Sequence, residues 1–248
     1  MGMKVAIIGA KGRMGQAMAA GVTATDDLEL VAQLDVGDDI TAETLNGAEV
    51  AIEFTKPYAS LANVLAIIDA GVNPVVGTTG WTDEALAQVE EELATKPELG
   101  AVIAPNYALS AVLAMTFAQK AARYFDSAEV IELHHPNKVD APSGTALTTA
   151  KHIAEARREA GLGAMPDATE TDPDGARGAN IDGVHVHAVR LKGLTAHEEI
   201  VFGNAGEQLT IRTDSFDRES FWPGVLLAVR EVKNHPGLTF GLDKLMDL

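Results

Sequence analysis

Met3 to Gly15 reads MKVAIIGAKGRMG: a short β-rich run, then glycines at Gly9, Gly12 and Gly15, with an Ala-rich stretch from about Gln16. The pattern predicts strand, glycine turn, helix. Glycines at these places permit a tight turn, let backbone N–H groups approach a pyrophosphate, and let helix pack closely on strand. A plain tight turn would satisfy the same pattern, so the neighbourhood decides. A second apolar run, Leu28 to Leu34, ends at Asp35. That acid lies about 20 residues past Gly15, where a dinucleotide fold sets a carboxylate against the adenosine ribose hydroxyls. Asp35 favours NADH, because a carboxylate repels a 2′-phosphate, whereas Lys11 and Arg13 pull toward NADPH. Val36 follows Asp35, so no arginine stands there to clamp that phosphate. Use of both nucleotides with a bias to NADH is expected.

The unit then repeats. Glu49 to Phe54 predicts a strand ending in EFTKP, and Tyr58 to Ala70 a helix that Gly71 stops. Val75 and Val76 lead into GTTGW and a helix over Asp83 to Ala94. Turns at the carboxyl ends of parallel strands line the ligand crevice, so Gly77, Thr78 and Thr79 can reach a cofactor, with a capped turn as the rival reading. Ala101 to Ala104 predicts one more strand, which Pro105, Asn106 and Tyr107 break before a long apolar helix from Leu109 to Phe125. A domain boundary is expected here, with Ala104 to Tyr107 placed where a cofactor could touch the second domain.

Reactive side chains concentrate in Glu132 to Ala146, ELHHPNKVDAPSGTA. Glu129 to Leu133 reads as a buried strand, and alternation sends His134 and His135 to opposite faces as it ends. Lys138 follows on a loop held open by Pro136 and Asn137. Pro142, Ser143, Gly144 and Thr145 form a turn into a helix, where unpaired N–H groups and hydroxyls suit a carboxylate or a phosphate. Singly, each residue has a structural reading: partly buried histidines, a turn aspartate at Asp140, a capping serine at Ser143. Together, two imidazoles, an ammonium and an anion-ready helix start point to a site. A metal is disfavoured, since adjacent histidines on an extended segment diverge and the chain has neither cysteine nor an HExxH spacing.

Gly161 to Gly183 predicts a loop of about twenty residues, long enough to imply a function or mobility, with Arg177 as its cation. A solvated Arg177 is the first reading, and contact with a ligand or a neighbouring subunit the second. Val184 to Leu191, Ala196 to Phe202 and Gln208 to Asp214 alternate as antiparallel strands of one sheet, with His185 and His187 on one side. That sheet could pair between subunits. Phe216 to Val232 reads as a closing helix. With 248 residues and 46% hydrophobic content the chain can hold one large or two small domains. A net charge of −17 repels nucleic acid and anionic membrane, and an anionic ligand would need locally focused positive charge at Lys138, Lys11 and Arg13. No cysteine, no secretory leader and no run long enough to span a bilayer make a cytoplasmic enzyme the expectation.

A dinucleotide unit, GTTG, APN and HHPNKVDAPSGTA, in this order and nearly end to end, strongly resemble the 4-hydroxy-tetrahydrodipicolinate (dihydrodipicolinate) reductase family. The segment from Glu132 to Ala146 is its specific part. The resemblance implies an α/β chain: a Rossmann-type dinucleotide-binding domain over 1–106 and 216–248, and a smaller α+β substrate-binding and tetramerisation domain with a mixed open sheet over 107–215. It implies His134 as acid/base group and Lys138 as proton donor, with His135, Ser143, Gly144 and Thr145 holding a small dicarboxylate substrate. Gly9, Ala10, Lys11, Gly12, Arg13, Met14, Asp35, Gly77, Thr78, Thr79, Ala104, Pro105, Asn106 and Tyr107 would hold NADH or NADPH. A homotetramer is implied as well. The chain departs from common family versions at Tyr107, Ser110 and Ala111. Two rival readings stay open: a different amino- or keto-acid dehydrogenase on the same cofactor domain, and a non-catalytic sensor of the NADH to NAD ratio.

Overall fold

The computed structural model describes residues 2–246. Its elements run β1 (Met3–Ile8), α1 (Arg13–Thr23), β2 (Leu28–Leu34), β3 (Val50–Glu53), α2 (Pro57–Asp69), β4 (Asn73–Val76), α3 (Asp83–Ala94) and β5 (Gly100–Ile103). There follow α4 (Leu109–Ala121), β6 (Ser127–His134), α5 (Gly144–Glu159), β7 (Ala179–Ile181), β8 (Val184–Arg190), β9 (Ala196–Asn204) and β10 (Glu207–Ser215), and the chain closes with α6 (Trp222–Glu231) and β11 (Gly237–Phe240). Backbone packing divides them into two compact units. One runs to Ala108 and resumes at Arg218, and the other is Leu109–Asp217.

The first unit is a six-stranded parallel sheet in the order β11-β5-β4-β3-β1-β2. Val5, Ala6 and Ile7 of β1 are fully buried, as a strand covered on both faces requires. Burying each large aliphatic side chain there contributes about 1.5–3 kcal/mol. Strand order reverses at β1, whose neighbours are β2 on one side and β3 on the other, and ligands of such sheets lie beyond the carboxyl ends at that reversal. Two features differ from the expectation. Helix α1 starts at Arg13, not near Gln16, because Gly12 is already its extended N-cap and Gln16 N–H donates to Gly12 O at 2.9 Å. Strand β11 was not foreseen: four residues after His-Pro show no readable alternation and are recruited by pairing with β5.

The second unit is a five-stranded mixed sheet, β10-β9-β6-β8-β7, with α4 and α5 packed on one face. Even-numbered residues of β6 face the helices: Ala128 and Val130 join Ala114, Ala118, Ala150, Ile153, Val186, Ile200 and Phe202 in the core. β8 and β9 do not pair with each other, contrary to the antiparallel series expected; β6 lies between them, parallel to β8 and antiparallel to β9. A strand buried as β6 is needs both edges satisfied, and period-2 patterning carries no information about neighbours. Helix α4 ends at Ala121, short of Phe125, because the chain tightens there, with Tyr124 N–H donating to Ala121 O. The long loop is also shorter than expected, since β7 forms inside it. Arg177 is not a solvated cation: it pairs with Glu129 Oε1 at 2.6 Å and Asp167 Oδ2 at 3.2 Å, tying the loop to β6.

Candidate active site

In the first unit, the carboxyl ends of β1, β2, β3 and β4 enclose a cleft of about 680 Å³. Its lining includes Gly9, Gly12, Arg13, Met14, Asp35, Thr55, Asn63, Gly77, Thr78 and Thr79. The turn at its centre is fixed by absent side chains. Gly9 has φ +86°, and a Cβ there would stand 2.3 Å from Phe54 O; a Cβ on Gly15 would stand 2.1 Å from Gly9 O. No other residue fits either place. Asp35 is bound to this turn, since Lys11 N–H donates to its Oδ2 at 2.7 Å and Val36 N–H to its Oδ1 at 2.8 Å. The hydrogen bond from Lys11 leads in holding the Asp35 carboxyl below its usual range, so it is ionised and one acceptor edge is already placed. Gly12 caps α1 without a side chain, and the first turn of α1 carries no acid, which suits a pyrophosphate. The cradle, the placed acid and the cleft volume fit a nicotinamide dinucleotide.

In the second unit, Glu132 organises the site. It is fully buried, and Arg190 clamps it with Nη1 to Oε2 at 2.7 Å and Nη2 to Oε1 at 2.8 Å. Its Oε2 also meets His134 Nδ1 at 2.6 Å, and its Oε1 accepts from Ser143 N–H at 3.1 Å. Burial alone would raise the Glu132 pKa, but the bonds from Arg190 and His134 outweigh it and the carboxyl stays acidic. One carboxylate thereby anchors both the histidine at the end of β6 and the turn that opens α5. With Nδ1 turned to Glu132, His134 has Nε2 left for chemistry, and burial lowers its pKa although Glu132 opposes the shift. Lys138 Nζ donates to Asp140 Oδ1 and Oδ2 at 2.8 and 3.0 Å, and Arg190 Nη2 donates to Asp140 O at 2.8 Å. Helix α5 has no acid in its first turn.

The structure gathers most of the expected residues and redistributes some. Gly9, Gly12, Arg13, Met14, Asp35 and Gly77 to Thr79 share the cleft; Ala10 and Lys11 belong to its turn but do not line it. Ala104, Pro105, Asn106 and Tyr107 do not line it either. Tyr107 is buried against Phe54 with its hydroxyl donating to Val76 O at 2.9 Å, and burial raises its pKa. It packs the unit and offers no side chain to a ligand. Ser143 is likewise buried, its hydroxyl accepting from Ala146 N–H at 3.2 Å, so it caps α5 instead of facing a carboxylate. His135 is exposed, Gly144 is exposed and Thr145 half-buried. Sequence reading missed Glu132, Arg190, and Thr55 with Asn63. Arg190 is placed by register: it ends β8 beside His134 of β6, the strand that carries the buried Glu132.

Parallel sheet, glycine cradle and proton-handling cluster define a nicotinamide-nucleotide oxidoreductase. Family models for the dihydrodipicolinate reductase N-terminus and C-terminus match residues 3–107 and 110–246. The chain is 62% identical over 251 residues to the 4-hydroxy-tetrahydrodipicolinate reductase of Bifidobacterium longum, covering 99% of this chain and 100% of that one. To the enzyme of that name from Corynebacterium efficiens it is 56% identical over 248 residues, covering 100% of both. The structure of dipicolinate-bound dihydrodipicolinate reductase from Paenisporosarcina sp. TG-14 superposes with a TM-score of 0.89 at 38% identity, over 99% of this chain and 100% of that one. The chain belongs to the dihydrodipicolinate reductase family.

Proposed function

We propose that this chain reduces 4-hydroxy-tetrahydrodipicolinate to tetrahydrodipicolinate with NADH or NADPH, a step of diaminopimelate and lysine biosynthesis. Full-length likeness to reductases of that name supports the reaction. The observation that carries the chemistry is the shared anchoring of His134 and the α5 turn on Glu132. A net charge of −17 makes a dicarboxylate unwelcome everywhere except at such a place. When bound, the reduced nicotinamide supplies hydride to the ring carbon that loses its hydroxyl.

The departing hydroxyl needs one proton to leave as water. Lys138 is assigned as its donor, released from Asp140 when a substrate carboxylate competes for the ammonium, and His134 Nε2 as the acid/base that keeps the proton inventory. His135, Gly144 and Thr145 are assigned to hold substrate carboxylate, the helix start adding its partial positive charge. Gly9 to Met14 cradle pyrophosphate, and Asp35 takes the ribose hydroxyls, which favours NADH. The 107–215 segment is assigned to substrate and assembly, with a homotetramer joined through its open sheet face, in the cytoplasm. Half-buried Ile131, Val189 and Val201 on the face away from the helices support that assignment.

The test follows NADH and NADPH oxidation with substrate made fresh by condensing pyruvate and aspartate semialdehyde through the preceding synthase. Turnover with both and a faster NADH rate is expected. Cofactor binding without turnover would move the reading to another amino- or keto-acid dehydrogenase.

A further inference from the structure

Glu198 lies on β9 directly across from Glu132 on β6, on the face covered by α4 and α5. It is 4% exposed, and its Oε2 has no hydrogen-bond partner among the described residues. Glu132 has Arg190 as its cation, and among the described residues no cation pairs with Glu198. The groups turned toward it are Glu132 from β6, with Arg190 of β8 behind that carboxylate, Thr149 from α5, and Thr213 from β10, whose hydroxyl is given to Ser110 of α4 at 2.6 Å.

The hydrogen-bond inventory around Thr149 favours a neutral Glu198. Thr149 Oγ1 stands 3.0 Å from Thr145 O and 2.7 Å from Glu198 Oε1. A hydroxyl carries one hydrogen and a backbone carbonyl carries none to give. A single hydrogen shared between both acceptors would weaken each bond, whereas both reach full strength when Glu198 brings its own proton, donating to Thr149 while Thr149 donates to Thr145 O. Two ionised carboxylates in adjacent register positions would also repel, since Arg190 stands on the far side of Glu132.

We propose that Glu198 is a neutral carboxylic acid and a positioning residue: through Thr149 it fixes the first turn of α5, and by staying uncharged it leaves Glu132 as the single anion beneath His134. Ionised, it would take the Thr149 hydrogen away from Thr145, loosening the turn assigned to substrate carboxylate. Burial pushes its pKa up to about 7, so this loosening falls within the physiological range. The folded protein keeps the proton up to about 7, whereas an unfolded glutamate releases it near 4.5. Stability contributed by Glu198 is therefore complete below 4.5 and lost as pH rises through about 7.

The protonation claim stands without the dicarboxylate reading, and the positioning claim rests on it. Infrared difference spectra between the unmutated protein and Glu198→Gln test the first. The carbonyl band of a neutral carboxyl is expected at about pH 6 and should vanish by about pH 9. A spectrum without that band at the lower pH would overturn the proposal. Calorimetric titration with dipicolinate tests the second. Affinity of the unmutated protein should fall about threefold or more between roughly pH 6 and pH 8.5 beyond any fall in Glu198→Gln, whose amide stays neutral and can still donate to Thr149. Thr149→Val, which keeps shape and removes the relay, should already bind about threefold more weakly at the lower pH. Parallel pH profiles in both proteins, or full affinity in Thr149→Val, would sink the positioning role. No dipicolinate binding by the unmutated protein at any pH would refute the dicarboxylate reading and the positioning role together, leaving the infrared result to decide the protonation state.

Discussion

At the scale of single residues, the site turns on a buried carboxylate that no motif advertises. Glu132 sets the His134 tautomer, holds Arg190 and receives Ser143 N–H, so its charge supports the histidine pKa against burial. Glu132→Gln removes that charge, and the His134 pKa must fall further. The limb of the rate profile that needs protonated His134 should move toward acid, with kcat near neutrality down about tenfold or more. A pH–rate series on the variant checks both, and an unmoved limb would separate His134 from the rate. Lys138→Ala is expected to lower kcat about 100-fold, whereas Thr145→Ala should chiefly raise substrate KM. Matching KM effects with normal kcat in both would break the division of roles. The histidines and Lys138 were legible because reactive types crowd one short segment. Glu132, Arg190 and Glu198 were not, because their meaning comes from cross-strand register, which brings residues 58 and 66 positions from Glu132 to its side.

Among elements, the β1–turn–α1 unit was the most legible, since its glycines answer to local geometry alone. Gly15 shows how strict that geometry is: it sits inside the first turn of α1, where a methyl group would collide with Gly9 O. Gly15→Ala should therefore weaken NADH binding about tenfold or more and lower thermal stability, read by fluorescence titration and melting. Unchanged NADH affinity would mean that the turn does not cradle the dinucleotide. Tyr107 and Ser143 mark the opposite case. Both lie in segments whose composition suits a ligand, and both spend their hydroxyls on their own unit, Tyr107 on β4 and Ser143 on α5. Composition locates a loop; it does not say which way a side chain turns. The same limit explains β8 and β9, whose alternation was readable while the strand between them, drawn from far earlier in the chain, was not.

For the whole molecule, the sequence held the discontinuous first unit only through family resemblance, because β11 is too short to read and joins the sheet by pairing with β5. Assembly belongs to this scale as well. If the open face of the second sheet joins four chains, Ile131→Asp should shift the solution mass from about four times 26.1 kDa toward a single chain. A mass unchanged by that substitution would place the interface elsewhere. The proposed reaction passes hydride from a reduced nicotinamide dinucleotide to the ring of the dicarboxylate. It is tested most directly by running the reaction with NADH deuterated at nicotinamide C4, on the face that transfers, and weighing the product. Tetrahydrodipicolinate carrying one deuterium at the carbon that lost its hydroxyl is the expected result. Oxidation of the labelled cofactor with no deuterium in the product would contradict it.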